Sequence, residues 1–303
     1  MTSPSDAPYS LVGDATCLAP LDRAEHLRGD AGALSMLWIN GCVLRLDGEG
    51  RAAVDASGDP VIERGDARPE SPSDAYFLGL DAAGRGWFAL THADLGDARV
   101  DLRTAAASWP AVAASAFATA HALHHWHLRN RYCGSCGGEV EFVRAGWLGR
   151  CLRCTREHYP RVDPAVIVAV GNGSRLLLGR QAAWPPRRHS VIAGFVEPGE
   201  TLEHAVAREV MEETGVRVLG CRYLGSQPWP FPTSLMIGFI AAAEPGDVRS
   251  SDELEDARWF EREEILAALA AEERGETDDA PLLMPSRVSI AHWLVREWLA
   301  ATA

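Results

Sequence analysis

Residues 194–216, GFVEPGETLEHAVAREVMEETGV, carry the most informative pattern in this 303-residue chain. Apolar residues recur at helical spacing after Thr201, which can cap the N-terminus of a helix that runs to Glu213. On that helix Glu209 precedes Glu212 by three residues and Glu213 by four, so the three carboxylates share one face. Like charges at these spacings destabilise a helix by roughly 0.2 to 0.5 kcal/mol per pair, which suggests a compensating cation.

Carboxylates arranged in this way are typical ligands of a hard divalent ion. Mg²⁺ or Mn²⁺ takes oxygen ligands, retains waters and bridges carboxylates to substrate phosphates. Such an ion would neutralise a pyrophosphate and lower the pKa of an attacking water. Arg208 can orient the carboxylates, with Glu200 as its expected ionic partner. A solvated, charged helix face is the alternative. It does not explain why Gly194 and Gly215 also stand at the positions of the motif described next.

The stretch resembles the Nudix box of the Nudix hydrolase family, G-x5-E-x7-R-E-U-x-E-E-x-G-U, where U is aliphatic, and the match is complete. The resemblance implies a catalytic centre formed by Glu200, Arg208, Glu209, Glu212 and Glu213. Glu209 and Glu213 would be the principal ligands of the Mg²⁺ or Mn²⁺ ion, Glu212 would assist, and Ala193 would offer its backbone carbonyl. The general base among these glutamates is left open.

A further carboxylate ligand is expected from a loop after the box, since the family usually supplies one there. The acidic stretch 252–260 fits this role. The resemblance favours Glu253 as the ligand, with Glu255 as the alternative.

Two Cys-x-x-Cys pairs separated by fourteen residues predict a structural zinc site, whose ligands would be Cys133, Cys136, Cys151 and Cys154. Each pair places two thiolates on a tight turn about one tetrahedral ion, and the residues between the pairs would form a hairpin. Four unrelated thiols are the alternative. A site closed by four cysteines leaves no coordination position for water, so we expect no catalysis there.

A histidine run just before the cysteines is a second candidate metal site, formed by His121, His124, His125 and His127. These residues fall at the end of a long predicted helix, and four cysteines already satisfy one ion. We therefore expect the histidines to pack rather than to bind metal.

Residues 226–234, SQPWPFPTS, predict the substrate surface. Prolines alternating with aromatics favour a stiff, extended backbone with flat apolar faces that can stack a nucleobase, while Gln227 and Ser234 hydrogen-bond to polar groups. The alternative is a loop that packs its own aromatics.

This run resembles S-Q-P-W-P-F-P-x-S, the signature of the NADH pyrophosphatase subfamily, which also carries a four-cysteine zinc ribbon before the Nudix domain. The resemblance implies hydrolysis of NAD(H) to NMN(H) and AMP, removal of NAD caps from RNA in several members, and a homodimer. It implies ten substrate-contacting residues: Tyr159, Gln227, Pro228, Trp229, Pro230, Phe231, Pro232, Thr233, Ser234 and Ala291. One position departs from the pattern, since Gly146 precedes Trp147 where some bacterial relatives have an acidic residue.

The chain as a whole predicts an α+β protein with three parts. These are a β-rich N-terminal domain at 1–128, a four-cysteine zinc ribbon at 129–160, and a C-terminal Nudix α/β/α sandwich with a mixed sheet at 161–303. In the first part we expect a strand at 36–46, a hairpin at 76–80 and 87–90, and a helix to Arg129 with Ser108 as its N-cap and Pro110 in its first turn.

The third part should begin with a hairpin at 164–170 and 175–180 and a short strand at 189–193. Further strands are predicted at 216–224, 235–243 and 257–260, and helices at 262–271 and 289–299. Antiparallel hairpins mixed with helices exclude a regular parallel βαβ array.

Charge and composition limit the function. The net charge of -13 disfavours broad binding to nucleic acid or an anionic membrane, so a phosphate-bearing substrate needs local cations. Residues 125–163 alone are cationic, with seven arginines against four acids. Residues 1–16 are polar and carry no basic residue, and no apolar run is long enough to span a bilayer, which predicts a cytoplasmic protein.

There are three alternatives to an NAD(H) pyrophosphatase, and two of them remain open. A Rossmann oxidoreductase is excluded because Gly171 and Gly173 lack a third glycine and fall in a predicted hairpin. A nonenzymatic zinc-ribbon module could bind RNA through its arginines, although the intact box argues against a dead enzyme. A broader ADP-ribose or dinucleoside-polyphosphate pyrophosphatase is the alternative within the enzyme class.

Overall fold

The computed structural model describes residues 20–91, 95–96, 98–276, 278 and 280–302. Residues 1–16, on which the expectation of no targeting segment rests, lie outside this range. The helices are α1 (Ala31–Ile39), α2 (Leu102–Ser108), α3 (Ala111–Arg129), α4 (Leu202–Thr214), α5 (Arg262–Arg274) and α6 (Ile290–Ala301).

Fifteen strands form three sheets among these residues. The N-terminal strands are β1 (Cys42–Leu46), β2 (Ala52–Ala53), β3 (Glu63–Arg64), β4 (Tyr76–Leu80), β5 (Gly86–Thr91) and β6 (Arg99–Val100). The ribbon contains β7 (Val140–Val143), β8 (Leu148–Cys151) and β9 (Glu157–His158). The C-terminal strands are β10 (Asp163–Asn172), β11 (Arg175–Arg180), β12 (Ile192–Phe195), β13 (Val218–Trp229), β14 (Ser234–Ala243) and β15 (Asp256–Glu261).

The C-terminal sheet has the order β13-β14-β10-β11-β15, with β12 also paired to β10. It is mixed, because β10 and β14 run parallel while the other pairs are antiparallel. Alternate residues of β10 face opposite sides of the sheet. Val166 and Val168 pack in the core with α4, whereas Ile167 and Ala169 pack in the core with α5 and α6. The predicted α/β/α sandwich with a mixed sheet is therefore confirmed.

The helix that carries the carboxylates has defined ends. Thr201 is its N-cap and accepts a hydrogen bond from the His204 backbone N–H. Gly215 ends it in the left-handed region at a φ of 68°, which suits a residue without a Cβ atom. Buried Ala205, Val206 and Val210 hold one face of the helix on the sheet. The last turn is thereby fixed against β12.

The N-terminal sheet has the order β4-β5-β1-β2-β6, with helices on both faces. Leu44 and Ala89 pack towards α2 and α3, while Val43 and Phe88 pack towards α1. The predicted hairpin of β4 and β5 is confirmed by their antiparallel pairing.

Two N-terminal predictions are wrong. Residues 36–39, expected as the start of a strand, form the end of α1, because Asp30 caps this helix by accepting from the Ala33 N–H. The long helix does not include Ser108, which ends α2. Trp109 is extended, as expected for a residue before proline, and Pro110 takes the N-cap position of α3.

Within the described part of the chain, no helix combines the length and the apolar character that a membrane span requires. The three sheets fall within the three predicted parts, and the domain boundaries themselves stay a prediction.

Candidate active site and zinc ribbon

The end of β12 and the last turns of α4 meet so closely that only glycine fits between them. A Cβ atom on Gly194 would lie 1.9 Å from Cδ of Glu209. The Glu209 carboxyl is therefore held directly against the backbone of β12, next to Ala193. The spacing of the predicted motif thus corresponds to a physical contact between a strand end and a helix face.

Arg208 connects the carboxylates to one another. Its guanidinium donates to Glu200 at 2.8 and 2.9 Å, to Glu209 at 2.9 Å and to Glu212 at 3.0 Å, and also to the backbone carbonyl of Phe195 at 2.9 Å. The predicted pairing of Arg208 with Glu200 is present. Hydrogen bonds from Arg208 lower the pKa of Glu200 to about 2, so this carboxylate is ionised at neutral pH.

Glu213 differs from its neighbours because it is buried, with 7% of its surface exposed and no cationic partner among the described residues. Burial raises its pKa to about 7, and the charges of Glu209 and Glu253 add to the shift. Burial likewise raises the pKa of Glu209, although Arg208 opposes the shift. A carboxyl poised near neutrality in a cleft is a functional-site candidate.

Glu253 and Glu255 occupy different surroundings. The Ser251 N–H donates to the Glu213 carbonyl, and the Glu253 N–H donates to the Ser251 hydroxyl, which ties this loop to the end of α4. Glu253 is exposed and its charge acts on Glu209 and Glu213. Glu255 instead forms an ion pair with Arg180. The geometry therefore favours Glu253 over Glu255 as a further ligand.

These carboxylates are spaced more widely than the cysteines. Among the described residues, only the four cysteines place three or more possible ligand atoms within 4.8 Å of one another. Oxygen ligands that leave room for waters and a phosphate suit Mg²⁺ or Mn²⁺, which keep several waters. The residues present thus fit a divalent ion that is shared with a substrate.

A pocket of about 180 Å³ lies beside Glu213. Its lining includes Ala193 of β12, Trp229 of β13 and Ala291 of α6. All three are site residues that the sequence analysis predicts. The indole of Trp229 provides a flat apolar wall next to the buried carboxyl. The pocket can therefore hold a planar group close to the carboxylate cluster.

The four cysteines converge as predicted. The Sγ atoms of Cys133 and Cys154 are 3.8 Å apart, and those of Cys136 and Cys151 are 3.4 Å apart. The Ser135 backbone N–H lowers the pKa of Cys133 to about 7. The Cys154 backbone N–H lowers the pKa of Cys151 to about 6. Thiolates are the form that binds zinc, so the donor set fits a closed tetrahedral site.

Comparisons with known proteins agree with this geometry. Residues 160–282 match the NUDIX domain, and residues 128–159 match the NADH pyrophosphatase zinc ribbon domain. The "NAD-capped RNA hydrolase NudC" of Mycobacterium tuberculosis is 40% identical over 290 residues, which cover 92% of each chain. The chain belongs to the Nudix hydrolase family. It carries the zinc ribbon of NADH pyrophosphatases next to its Nudix domain.

Other similar proteins match only part of the chain. Human "NAD-capped RNA hydrolase NUDT12" is 42% identical over 197 residues, which span 61% of this chain and 42% of that protein. A crystal structure of a NUDIX hydrolase from Nitrosomonas europaea covers 56% of this chain and 90% of its own, with 23% identity and a TM-score of 0.41.

One residue of this Nudix hydrolase departs from its expected role. The sequence predicts that Gln227 contacts substrate, but its side chain is fully buried and both polar atoms are used internally. Its Nε2 donates to the Val288 carbonyl and its Oε1 accepts from the Ile290 N–H, each at 2.7 Å. Gln227 therefore fixes the start of α6, including Ala291, against β13. A buried amide satisfies its hydrogen bonds within the protein first.

The rest of the SQPWPFPTS run divides between two sides. Residues 226–229 are extended as predicted and belong to β13. Residues 230–233 form a turn instead, and Ser234 begins β14. Trp229 lines the pocket near Glu213, while Phe231 packs on the N-terminal core and Pro232 is exposed. Four residues face a separate cleft instead: Pro228, Pro230, Thr233 and Ser234. Tyr159, half-exposed at the end of the ribbon, does not line the pocket of its own chain.

Sequence reasoning missed Phe195, which is 60% exposed at the end of β12. Strand alternation places Phe195 on the same face as Ala193, opposite Gly194. An exposed aromatic on the same face of β12 as the pocket-lining Ala193 suits a ligand surface, and its position inside the box was the available signal. Trp184 and Gln181 also line the pocket, but they lie in a loop without a recognisable pattern.

Three histidines of the run make structural contacts in the described residues. His121, His124 and His127 contact the backbone carbonyl oxygens of Gly50, Gly48 and Gly146 at 2.7 to 3.1 Å. Burial lowers the pKa of His127 to about 4, so it is neutral, and its ring stacks on Phe142 of the ribbon at 3.6 Å. These contacts join α3 to neighbouring loops and to the ribbon.

Proposed function

We propose that this protein hydrolyses the pyrophosphate of NAD(H) and also removes NAD caps from RNA 5′ ends. Water adds across the P–O–P bond, giving NMN(H) and AMP from the free dinucleotide. The observation that carries the proposal is the buried Glu213, poised near neutral pH, in a pocket that also contains Ala193 and Trp229. The names of the NudC relatives support the substrate.

We infer that Mg²⁺ or Mn²⁺ would be held by Ala193, Glu209, Glu212, Glu213 and Glu253. Such an ion neutralises the pyrophosphate and lowers the pKa of a nearby water. Arg208 holds Glu209 and Glu212 in place, and Glu200 fixes Arg208 from the other side. Glu213, whose pKa burial raises to about 7, is suited to take a proton from the attacking water near pH 7.

Substrate binding follows from the aromatic groups around this centre. The indole of Trp229 and the ring of Phe195 offer two flat faces for a base. Ala291 closes the pocket with a small side chain, which leaves space for a ring. These surfaces account for a dinucleotide substrate better than for inorganic pyrophosphate.

We also propose a homodimer in the cytoplasm. Large apolar side chains are exposed on the ribbon and at its exit: Tyr132, Leu152 and Tyr159. Such a surface suits a protein interface. A second copy bound there would place Tyr159 of one chain towards the pocket of the other chain. Paired thiols reserved for zinc suit a reducing compartment.

Product analysis tests the reaction. With Mg²⁺ or Mn²⁺, we expect AMP and NMNH from NADH, and about 100-fold or greater loss in Glu213→Gln because a positioned acid or base contributes that much. Glu203→Gln, an exposed carboxylate in the first turn of α4, is the matched control and should retain activity.

The alternatives are separated by the same assay. Faster cleavage of ADP-ribose than of NADH would favour the broader pyrophosphatase. RNA binding with no product from any of NADH, NAD⁺, ADP-ribose or NAD-capped RNA, at saturating metal, would favour the nonenzymatic ribbon module and reject the proposal.

A further inference from the structure

A second, larger cleft of about 400 Å³ lies where the N-terminal part, the ribbon and the Nudix domain meet. Arg23, Arg28 and one side of α3 form one wall, and Trp147 of the ribbon forms another. Pro228 and Pro230 close it from the Nudix side. A volume of 300 to 1,000 Å³ is typical of small-molecule sites, so this cleft can hold a compact ligand.

The charge in this cleft contrasts with that of the whole protein. Arg23, Arg28 and Arg161 line it, and no aspartate or glutamate does so among the described residues, in a chain with a net charge of -13. Two acids close in sequence to lining residues have partners of their own. Glu25 is exposed and pairs with Arg144 at 3.6 Å, and Asp163 accepts from the Thr233 hydroxyl. The cleft therefore attracts an anion that the rest of the surface repels.

Arg28 is the cation best placed to meet that anion. Its guanidinium lies 3.7 Å from the Trp147 ring centroid, and its Nε is buried without a hydrogen-bond partner among the described residues. Burial lowers the pKa of Arg28; Glu25 opposes this shift, and the charges of Arg23 and Arg144 add to it. Arg28 also lines the cleft, so its guanidinium can meet a phosphate group that enters there.

The other walls suit a base and a sugar. Ala118, Ala122 and Leu123 of α3, with Pro228 and Pro230, present apolar surface. Ser115, Thr119 and Ser234 add hydroxyls at the margin, where Thr119 already accepts from Arg23 at 2.7 Å. We propose that this cleft is a second binding site, which takes a nucleoside monophosphate with its phosphate on Arg28 and its base against the apolar wall.

The proposed site lies on the opposite side of a hairpin from the catalytic pocket. Trp229 lines the catalytic pocket, whereas Pro228, the residue before it in β13, and Pro230 in the turn line the cleft. The two cavities share no lining residue. A nucleotide in the cleft therefore contacts the same hairpin as the substrate without occupying the substrate pocket, and the proposal does not depend on which pyrophosphate is cleaved.

Calorimetric titration of AMP into the full-length protein tests this site. The titration is done without added Mg²⁺ or Mn²⁺ and without chelator, so that the ribbon keeps its zinc. We expect Arg28→Gln to weaken AMP binding by about tenfold or more, since it removes a charge-assisted contact. Glu213→Gln in the catalytic pocket should bind like the wild type. The matched control is Arg217→Gln, an exposed arginine paired with Glu244, which should also bind normally.

Two further variants protect the test against a folding defect in Arg28→Gln. Ala122→Phe should block the cleft, and the exposed Arg161→Gln should weaken AMP binding without altering the melting temperature. Three results would overturn the proposal. The first is that the wild type does not bind AMP up to about 1 mM. The second is that AMP binding is lost in Glu213→Gln but kept in Arg28→Gln. The third is that inorganic phosphate binds as tightly as AMP. The last result would show that the apolar walls add nothing.

Discussion

Glu213 shows how the position of one side chain in the fold changes its chemistry. It has the same residue type as Glu212, yet Glu212 is exposed and bonded to Arg208 whereas Glu213 is buried without a cation among the described residues. Desolvation disfavours the charged carboxylate and raises its pKa to about 7. The two adjacent glutamates are therefore suited to different tasks.

We expect a pH-dependent stability from Glu213 in the metal-free protein. Its folded pKa lies above the ordinary value of 4.5, so the folded state binds more protons than the unfolded state between these values. Stability should therefore fall as pH rises from about 4.5 to 7, by on the order of 1 to 3 kcal/mol relative to Glu213→Gln. Chemical denaturation without added Mg²⁺ or Mn²⁺ and without chelator, compared between the two proteins, measures this difference.

Mg²⁺ should reverse the effect, because it binds the ionised carboxylate. The rise in melting temperature on adding Mg²⁺ should be larger at pH 8 than at pH 5.5. Parallel stability curves for the wild type and Glu213→Gln across this range would show that Glu213 titrates normally.

Gly194→Ala tests the contact between β12 and α4. The new methyl group would overlap the Glu209 carboxyl, so we expect a loss of about 1 to 3 kcal/mol in stability and a large loss of metal-dependent hydrolysis. Gly220→Ala is the control, since a Cβ atom at Gly220 meets nothing within 4 Å. Retention of full activity by Gly194→Ala would contradict the placement of Glu209.

At the scale of elements, each knuckle of the ribbon directs backbone N–H groups of its own turn at the sulfur of its first cysteine, Cys133 or Cys151. Strands β7 and β8 pair antiparallel between the two knuckles and bring them together. The ribbon contributes little hydrophobic core, so its order depends on the metal.

Cys136→Ser should release zinc and destabilise residues 129–160, because one of four ligands is lost. Elemental analysis should find one zinc per chain in the wild type and much less in the variant, with a lower melting temperature. Cys221→Ser, at a cysteine outside the ribbon, is the control and should keep its zinc. Wild-type protein free of zinc after purification without chelator would refute the site.

At the scale of the whole molecule, the N-terminal part supports the Nudix hairpin. Arg103 of α2 lies 5.2 Å from the Trp229 ring centroid and 4.1 Å from that of Phe231. Phe231 in turn packs on the N-terminal core. The wall of the catalytic pocket is thus held from outside the Nudix domain.

We expect Arg103→Ala to raise the KM for NADH more than it lowers kcat, because Trp229 loses a support rather than a catalytic group. The loss in stability should be about 0.5 to 1 kcal/mol, the value of an exposed cation–π contact. Steady-state kinetics and chemical denaturation measure the two effects. Arg274→Ala, which removes an exposed arginine of α5, is the control, and identical kinetics for both variants would contradict the role of Arg103.

Local patterns predicted much of this protein. The helix that begins after Thr201, the mixed C-terminal sheet and the cysteine cluster follow from capping, alternation and ligand spacing over a few residues. The errors came where local signals competed. Residues 36–39 have β-prone side chains but follow an aspartate cap, and Pro110 separated two helices that composition alone joins.

The sequence by itself determined which carboxylates share a helix face, which cysteines can surround one ion and which family the pattern resembles, because each depends on residues close in the chain. Only the tertiary structure decided that Gln227 is used internally, that Glu253 rather than Glu255 stands near Glu213, and that the Pro-rich hairpin separates two cavities. Burial and distance between remote segments control those outcomes. Neither can be obtained from the spacing of residues along the chain.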